Sequence, residues 1–196
     1  MTTLRQFRLD DVLKFNQINL DVLTETFNGS FYLAYLAKWP ESFVVAEGPH
    51  HDDSDNSKSQ LMGYALGKAE GEGVLWHGHV SALTVAPEYR RLGLAKTLMS
   101  YFEDVCINTY NAYFVDLFVR SSNSLAINMY QQFGYSVYRR VLGYYSSGGA
   151  NADSADDDYD MMTEDALDMR KALPRDKNKL SVIPMDRPVR PEELEW

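Results

Sequence analysis

Apolar and polar positions change character along the chain, and the first part, residues 1 to about 47, is mostly helical in pattern. Asp10 is a candidate N-cap, and apolar residues follow it at helix-like spacing from Val12 to Leu20. A second short helix is predicted in FYLAYLAKW, where Pro40 would end it. Residues 48–60 are polar and rich in turn formers, so we expect an exposed loop there.

Strands and helices alternate in the middle of the chain. The predicted strands are SFVVAE (42–47), LMGYALGKAE (61–70), HVSALTVAP (79–87), AYFVDLFVR (112–120) and YSVYRRVLGYYS (135–146), which could also be two strands; the predicted helices are LAKTLMSYFEDVCINTY (94–110) and NSLAINMYQQFG (123–134). The strand at 112–120 is mostly apolar on both faces, which is typical of burial on both sides of the sheet. This alternation predicts an α/β or α+β domain with helices packed on a sheet.

The last part of the chain changes composition sharply. Residues 146–169 contain eight acids and no base, whereas residues 170–190 contain seven bases and two acids. Prolines punctuate the end of the chain and exclude one regular element there. We therefore predict a folded domain over 1–145, an acidic mobile link over 146–169 and an extended arm over 170–196, with a disordered tail as the alternative.

Composition limits the classes of function. The chain has 196 residues with a formal charge of -9, which argues against general binding to nucleic acid or to anionic membranes. One cysteine, Cys106, excludes an internal disulfide and cysteine-only zinc sites. The first residues lack the apolar stretch of a signal peptide, and no apolar run is long enough to span a membrane. We expect a cytoplasmic protein.

The sharpest local signal is VAPEYRRLGLAKTLM, where a strand ends at Pro87 and Arg90-Arg91-Leu-Gly93-Leu94-Ala95 opens a helix. Free backbone N–H groups and partial positive charge at a helix N-terminus favour phosphate, and small residues let it approach. The two arginines reverse the overall charge locally, which suits an anionic cofactor. A loop with two solvated arginines and a tight glycine bend is the alternative on this motif alone.

A second motif follows about thirty residues later: Asn123-x-x-Ala-Ile-x-x-Tyr130-x-x-x-Gly-Tyr. Together the two motifs resemble the GNAT superfamily of acetyl-CoA-dependent N-acyltransferases. The resemblance implies a mixed, mostly antiparallel central sheet flanked by helices, here with an extended C-terminal arm. It also implies that acetyl-CoA is the co-substrate, and that two central strands splay apart around its acetyl group.

The resemblance implies roles for several residues. Leu83 and Val85 would lie along the pantetheine arm, and the pyrophosphate would be bound by the residues of the first motif, Arg90, Arg91, Gly93, Leu94 and Ala95. Tyr130 would place its phenol near the thioester sulfur; a core tyrosine on an amphipathic helix is the alternative. Asn123 would cap its helix, bind the pantetheine amide, or do both.

Further segments are similar to the catalytic subunits of type-B N-terminal acetyltransferases. They are Leu23–Phe27, Phe31–Leu33, Trp39-Pro40, Trp76–His79, Phe114–Val119, Gly134–Arg139, Tyr144-Tyr145, Asp168–Ala172 and Ile183–Pro191. This resemblance implies acetylation of the α-amino group of nascent chains that begin Met-Asp, Met-Glu, Met-Asn or Met-Gln. It also implies a large helical-repeat auxiliary subunit and work at the ribosome.

His79 is the best titratable candidate for accepting the amine proton, because an imidazole titrates near neutral pH. It could instead orient the peptide by hydrogen bonding, with water taking the proton, and the sequence leaves both roles open. At period two, its neighbours on the same strand face would be Ser81 and Leu83. His77 and His79 could suggest a metal, but the remaining histidines, His50 and His51, sit in a polar loop, so we predict none.

Four residues are candidates for holding the peptide. Glu25 could face the amine or the peptide backbone, and Phe27 could pack on the substrate methionine. Tyr144 and Tyr145 would close over the peptide, or simply pack in a hairpin. Asp116, on the central strand, has no partner that the sequence identifies.

Two other functions stay open from the sequence. A GNAT enzyme could act on lysine or a small amine, and peptides with free and blocked N-termini would distinguish it. A non-catalytic acyl-CoA-binding module would bind acetyl-CoA without turnover.

Overall fold

The computed structural model describes residues 2–19, 26–49, 59–146 and 163–194. The strands are β1 (Thr3–Gln6), β2 (Phe43–Pro49), β3 (Ser59–Glu70), β4 (His77–Val85), β5 (Phe114–Arg120), β6 (Ser136–Ser146) and β7 (Thr163–Ala172), and the α-helices are α1 (Gly29–Lys38), α2 (Leu94–Asn108) and α3 (Ser124–Gln132). Short 3-10 helices cover Leu9–Gln17, Pro40–Ser42, Gly73–Leu75, Pro87–Tyr89, Leu180–Val182 and Pro191–Glu193. None of the helices in these ranges is long and apolar enough to cross a membrane.

The seven strands form one sheet in the order β1-β2-β3-β4-β5-β7-β6. Within this sheet β4 and β5 run parallel, and the other neighbouring strands run antiparallel. The predicted mixed, mostly antiparallel sheet flanked by helices is thereby confirmed. β5 is buried along most of its length, as its apolar sequence indicated.

Helix α2 packs on one face of the sheet through the apolar stripe that its sequence predicted. Leu98, Phe102 and Cys106 are fully or almost fully buried on that stripe. Gly78 lies directly beneath it, and a Cβ at that position would collide with the Cys106 sulfur. The glycine therefore allows α2 to approach β4 closely, which fixes the layer that supports the central strands.

The first part of the chain differs from the predicted long helix. A strand, β1, comes first, and the following segment is a 3-10 helix in which Asp10 lies inside the element and is not its N-cap. Asp11 is fully buried and accepts from Arg5 at 2.6 and 2.9 Å and from the Arg8 N–H at 2.8 Å. This ion pair fastens the segment to β1.

Helix α1 agrees with its prediction. Asn28 caps it, since its Oδ1 accepts from the Phe31 N–H at 2.9 Å, and the helix ends two residues before Pro40. The polar segment at 48–60 contributes its ends to β2 and β3, and residues 50–58, including His50 and His51, lie outside the described residues.

The predicted division into domain, link and arm is wrong, because the end of the predicted link and the start of the predicted arm form a strand of the sheet. Residues 163–172 form β7, which lies between β5 and β6 in the sheet. The strand was missed because its buried residues, such as Ala166 and Met169, are interspersed with acids and bases that pair within the fold. Of the predicted link, residues 147–162 lie outside the described residues.

The chain after β7 runs along β6. The Met185 N–H donates to the Tyr138 carbonyl at 2.7 Å, and the Val189 N–H donates to the Arg140 carbonyl at 2.9 Å. Val189 and Leu194 are buried against Val141 of β6. This segment thereby covers the outer edge of the sheet, which would otherwise be open to pairing with another chain.

Candidate active site

The candidate site forms where the pairing of β4 with its neighbouring strands is irregular. In the pairing with β3, Leu66 lies opposite Ala82 and Gly67 opposite Val80, so Ser81 is an extra residue in the ladder. A bulge of this kind bends a strand and sharpens its twist. The pairing of β4 with β5 ends at the same place, with Val80 opposite Leu117. Beyond that pair the two parallel strands separate, as the predicted splay requires.

The gap between the separated strands is a cleft of about 170 Å³. Its walls are residues 80–84 of β4 and 117–120 of β5, together with Asn123, Ala126, Met129 and Tyr130 around α3 and with Tyr145 of β6. Leu83 packs with the residues beneath α2, whereas Ala82 packs with the aromatic residues beneath α1. Because side chains from both faces line it, the cleft passes through the sheet.

The bulge corrects the predicted neighbours of His79. Ser81 shares the face of His79, since its hydroxyl lies 2.8 Å from the Tyr35 hydroxyl of α1. Leu83 and Val85 lie on the opposite face, packed against the cluster that contains Leu94 and Leu98. Strict alternation would have placed Leu83 beside His79, but the extra residue at Ser81 reverses the alternation.

The N-terminus of α2 provides a place for an anion on the face of Leu83. Gly93 is the N-cap with φ of 82°, in the left-handed region that favours glycine, and no side chain of the described residues caps the helix. Within the described ranges, a Cβ at Gly93 would have no heavy atom within 4 Å, so these residues leave the space over the helix end open. Arg91 also has a positive φ, 63°, and Arg90 donates from Nε to the Val85 carbonyl at 3.0 Å. Ala95 follows in the first turn, and Leu94 is buried in the core, so only its backbone N–H could contact a ligand.

Two of the predicted residues line the cleft from α3. Asn123 caps the helix, with Oδ1 accepting from the Ala126 N–H at 3.1 Å, and its side chain also borders the cleft. Tyr130 is buried, its ring packs edge-on against Phe133 and Tyr135, and burial raises the pKa of its phenol above the ordinary value. No hydrogen bond of the Tyr130 hydroxyl occurs among the described residues, which leaves it able to donate to a ligand.

His79 and Asp116 form a hydrogen-bonded pair across the parallel strands. They are paired residues of β4 and β5, and His79 Nδ1 lies 2.8 Å from Asp116 Oδ1 with both side chains buried. Burial alone would raise the pKa of Asp116, but His79, His77 and Arg170 outweigh it and lower that pKa to about 2. Asp116 is therefore an ionised acceptor at neutral pH, and Nδ1 of His79 is the donor.

His79 stands at the edge of the cleft and is not part of its lining. The lining begins at the next residue, Val80, and the ring of His79 lies 5.4 Å from that of Phe118, which does line the cleft. With Nδ1 engaged by Asp116, Nε2 of a neutral His79 carries the lone pair that can accept a proton or a hydrogen bond.

Three of the remaining candidates for peptide contact, Phe27, Tyr144 and Tyr145, lie on the same face as His79. Tyr145 lines the cleft and donates to the Phe118 carbonyl at 3.1 Å, and the ring of Tyr144 packs on that of Phe118 at 4.7 Å. Phe27 stacks on Phe31 of α1 at 4.0 Å and is not part of the cleft lining. Glu25 lies outside the described residues.

The two strand histidines have a third neighbour that the sequence did not suggest. Glu70, His77 and His79 each have an atom that could ligate a metal ion, and these three atoms lie within 4.8 Å of one another. Glu70 Oε2 is paired with Lys68 Nζ at 2.6 Å, and His79 is bonded to Asp116. We interpret this group as a network of charged and hydrogen-bonded side chains. That the site binds no metal stays a prediction.

Sequence reasoning missed the partner of Asp116, although a signal for it was present. The strands containing His79 and Asp116 are consecutive and joined by α2, and such a crossover makes neighbouring strands parallel. Placing the two apolar strands side by side would have brought an aspartate close to the strand histidines.

Comparisons with known proteins agree with this geometry. The acetyltransferase (GNAT) family profile matches residues 13–135. The chain is 54% identical over 196 residues to the N-terminal acetyltransferase B complex catalytic subunit NAA20 of Arabidopsis thaliana, covering 100% of this chain and 99% of that protein.

Two solved structures are similar over most of the chain. The crystal structure of Chaetomium thermophilum Naa20 in complex with a bisubstrate analogue has a TM-score of 0.80 at 38% identity, covering 97% of both chains. The NatB acetyltransferase complex bound to CoA and MES contains a chain with a TM-score of 0.68 at 38% identity, covering 88% of this chain and 99% of that one.

Proposed function

The chain belongs to the acetyltransferase (GNAT) family, and from that membership we propose that it is the catalytic subunit of a type-B N-terminal acetyltransferase. It transfers the acetyl group of acetyl-CoA to the α-amino group of proteins beginning Met-Asp, Met-Glu, Met-Asn or Met-Gln. The observation that carries the proposal is the cleft through the sheet, which is open to a thioester on the face of α3 and to an amine on the face of α1.

Acetyl-CoA is the co-substrate, and the residues on one face suit its parts. The uncapped start of α2, with the open space over Gly93 and the charges of Arg90 and Arg91, suits the pyrophosphate. Beyond Val80, no strand in the described part of the chain pairs with β4 on its β5 side, so its backbone can bind the amides of the pantetheine arm. The reaction exchanges a thioester for an amide and needs no metal.

The amine must be neutral when it attacks the acetyl carbon. An α-amino group has a pKa of about 7.7–8.0, so on the order of a tenth is already neutral at pH 7. As the C–N bond forms and the C–S bond breaks, the nitrogen releases a proton, which Nε2 of His79 accepts directly or through a water. Asp116 stabilises the resulting imidazolium and keeps the ring in the correct tautomer.

Tyr130 acts on the departing sulfur as a hydrogen-bond donor. A coenzyme A thiol is a stronger acid than a phenol whose pKa burial has raised, so full proton transfer from Tyr130 to the thiolate is uphill. Donation of a hydrogen bond in the transition state is enough to stabilise the developing charge, and solvent then protonates the thiolate.

The second residue of the substrate would be recognised on the face of α1, opposite the face that we assign to coenzyme A. Tyr144 packs on Phe118 at the cleft and can donate from its hydroxyl, and His79 can donate whenever its Nε2 carries a proton. Tyr145 would have to exchange its bond to the Phe118 carbonyl for one to the substrate. These donors suit the carboxylates and amides of Asp, Glu, Asn and Gln. Phe27, which stacks on Phe31 in the aromatic cluster of α1, is our candidate for contact with the substrate methionine.

We propose that the chain works with an auxiliary subunit, because a similar chain is part of the solved NatB acetyltransferase complex. We further propose that this subunit is large and built of helical repeats, and that the complex acts in the cytoplasm at the ribosome, where new N-termini emerge. Ribosome binding is tested by co-sedimentation of the complex with translating ribosomes.

The experiment that tests the function is co-purification with the auxiliary subunit, followed by assay on Met-Asp and Ser-Glu peptides. We expect turnover on Met-Asp and little on Ser-Glu. A Met-Asp peptide with a blocked N-terminus and an internal lysine distinguishes α-amino from lysine acetylation. Acetyl-CoA binding without turnover on any peptide would support a non-catalytic module and contradict the proposal.

A further inference from the structure

His77, two residues before His79, has no role in the mechanism above, yet its surroundings define its hydrogen bonding. Its Nδ1 lies 2.6 Å from the Leu75 carbonyl oxygen. A carbonyl oxygen only accepts, so Nδ1 of His77 is a donor. The ring is stacked on that of Phe114, with centroids 4.7 Å apart and planes 5° from parallel, which fixes its orientation.

The other ring nitrogen of His77 faces two carboxylates. Nε2 lies 3.5 Å from Asp116 Oδ2 and 3.8 Å from Glu70 Oε1. Nε2 and Glu70 Oε1 are both buried, and neither has a hydrogen-bond partner among the described residues. If Nε2 were unprotonated, its lone pair would point at two anionic acceptors in a region closed to water, which is electrostatically unfavourable.

A proton on Nε2 removes this conflict, because His77 then donates from both nitrogens. Other charged groups near it are Lys68, paired with Glu70, and Arg170, whose guanidinium lies over the ring of Phe114. Arg139, Arg187 and Glu193 line the same small cavity as His77. His79 occupies the first oxygen of Asp116 at 2.8 Å, so the second oxygen is the one that His77 faces.

We propose that His77 is a positioning residue for the acetyl-transfer reaction, acting as a doubly protonated imidazole that holds the second oxygen of Asp116. Asp116 is thereby kept ionised and fixed in rotation, with its first oxygen accepting from His79 Nδ1. His79 keeps its Nε2 lone pair for the proton of the amine. The inference rests on the proposed function, since His77 acts on the reaction through Asp116 and His79.

The kinetic test compares two substitutions in the complex with the auxiliary subunit. Glutamine can place its amide N–H near the position of Nε2, whereas asparagine can replace only the donor to Leu75. We expect His77→Asn to lower kcat on a Met-Asp peptide about tenfold or more with little change in KM, and His77→Gln to retain most of the activity. Equal loss in both variants, with melting temperatures like that of the wild type, would overturn the proposal.

A double-mutant cycle separates positioning from general structural support. Asp116→Asn removes the group through which His77 acts, so adding His77→Asn should lower kcat by no more than about twofold further. Multiplicative losses in the double variant would show that His77 acts independently of Asp116 and would contradict the inference. If the wild-type complex fails to acetylate Met-Asp peptides at all, the proposed function fails, and the measurement below still decides the state of His77.

The protonation of His77 can be measured without activity. The full chain labelled with ¹⁵N-histidine gives ring-nitrogen resonances for four histidines, and the signals lost in His77→Gln belong to His77. At neutral pH we expect both nitrogens of His77 to have imidazolium shifts. A neutral ring would overturn the proposal, and so would a shift of Nε2 on adding Zn²⁺, since a bound cation would then replace the proton.

Discussion

Two residues of one strand, His79 and Leu83, lie on opposite faces of the sheet although they are four positions apart, which in a regular strand would place them on the same face. The extra residue at Ser81 reverses the alternation between them. His79 consequently faces the side of α1, and Leu83 faces the side of α2. The single bulge therefore determines which side chains of β4 reach the cleft from the face of α1 and which from the face of α2.

Gly93 allows a prediction about coenzyme A binding. Its positive φ disfavours a β-branched residue, and its Cβ position opens into the space where a phosphate would lie. We expect Gly93→Val to weaken acetyl-CoA binding at least tenfold by calorimetry. Gly93→Asn is the matched control for backbone strain, because asparagine tolerates left-handed φ while its side chain still fills the space. Unchanged affinity in both folded variants would contradict the phosphate assignment.

Tyr130 is expected to act mainly in the transition state. Its hydroxyl faces charge that develops at sulfur only as the bond breaks, so Tyr130→Phe should lower kcat more than it raises KM. A loss of about tenfold to a hundredfold in kcat corresponds to roughly 1.5–3 kcal/mol, the value of a hydrogen bond to a charged group. Steady-state kinetics on a Met-Asp peptide measure this, and an unchanged kcat would leave Tyr130 with a packing role alone.

The two roles left open for His79 give different results with two substrates. If His79 donates to the second residue, His79→Ala should reduce kcat/KM on a Met-Asp peptide more than on a Met-Leu peptide, by the roughly 1.5–3 kcal/mol of a hydrogen bond to a charged acceptor. If His79 is the base, both substrates should slow by the same factor. The bond to Asp116 favours the base. Unaltered rates on both peptides would contradict both roles.

At the scale of elements, periodicity predicted most of the sheet and its helices and failed in identifiable places. Helices α2 and α3 and strands β2 to β6 lie where the apolar pattern predicted them, because each buries a regular stripe or face. Strand β7 was missed because Asp168 and Arg170, both buried, pair with each other inside the fold. A strand whose charged residues pair inside the fold has the same composition as a solvent-exposed segment, so composition alone does not distinguish the two.

The candidate site was partly predictable for similar reasons. Motifs identified Asn123 and Tyr130, which do line the cleft, because their spacing on a short helix is fixed. The bulge at Ser81 and the bond between His79 and Asp116 depend on how β3 and β5 pair with β4, and long-range register is not encoded in any one segment. The sequence therefore predicted which residues lie at or near the cleft better than it predicted which face of the sheet each one occupies.

The segment that covers β6 is expected to support peptide binding. The Val189 side chain packs against Val141 and is only 2% exposed. The Leu142 N–H donates to the Val189 carbonyl at 2.8 Å. Val189→Asp would bury an unpaired carboxylate, so we expect the segment to detach and the KM for peptide to rise through disorder near Tyr145. Ile183→Asp, at a 57% exposed site on the same segment, is the matched control. Protection of the Leu142 amide from hydrogen exchange that persists in Val189→Asp would contradict this.

At the scale of the whole molecule, selectivity for an acidic substrate depends more on where the charges lie than on the net charge. The chain carries a formal charge of -9, which disfavours an acidic substrate at long range. Selectivity for Asp or Glu after methionine must therefore come from short-range donors at the cleft. In the described part of the chain, buried charges concentrate around Asp116 and Asp168, where Arg139 and Arg170 are held within 3.2 Å of Asp168.

This buried network makes stability depend on pH. Asp116 has a folded-state pKa lowered to about 2, whereas an aspartate in an unfolded chain titrates near 3.9. Its ionised form therefore stabilises the fold fully above about pH 4, and that contribution is lost as the pH falls toward 2.

Asp116→Asn lacks this contribution at every pH. We expect the difference in the free energy of unfolding between wild type and Asp116→Asn to be on the order of 2 kcal/mol at pH 6 and to shrink between about pH 4 and pH 2. Urea unfolding at several pH values measures the difference, with the exposed Asp186→Asn as the matched control for loss of one carboxylate. A difference that stays constant down to about pH 2 would mean that Asp116 is not held ionised by the histidines.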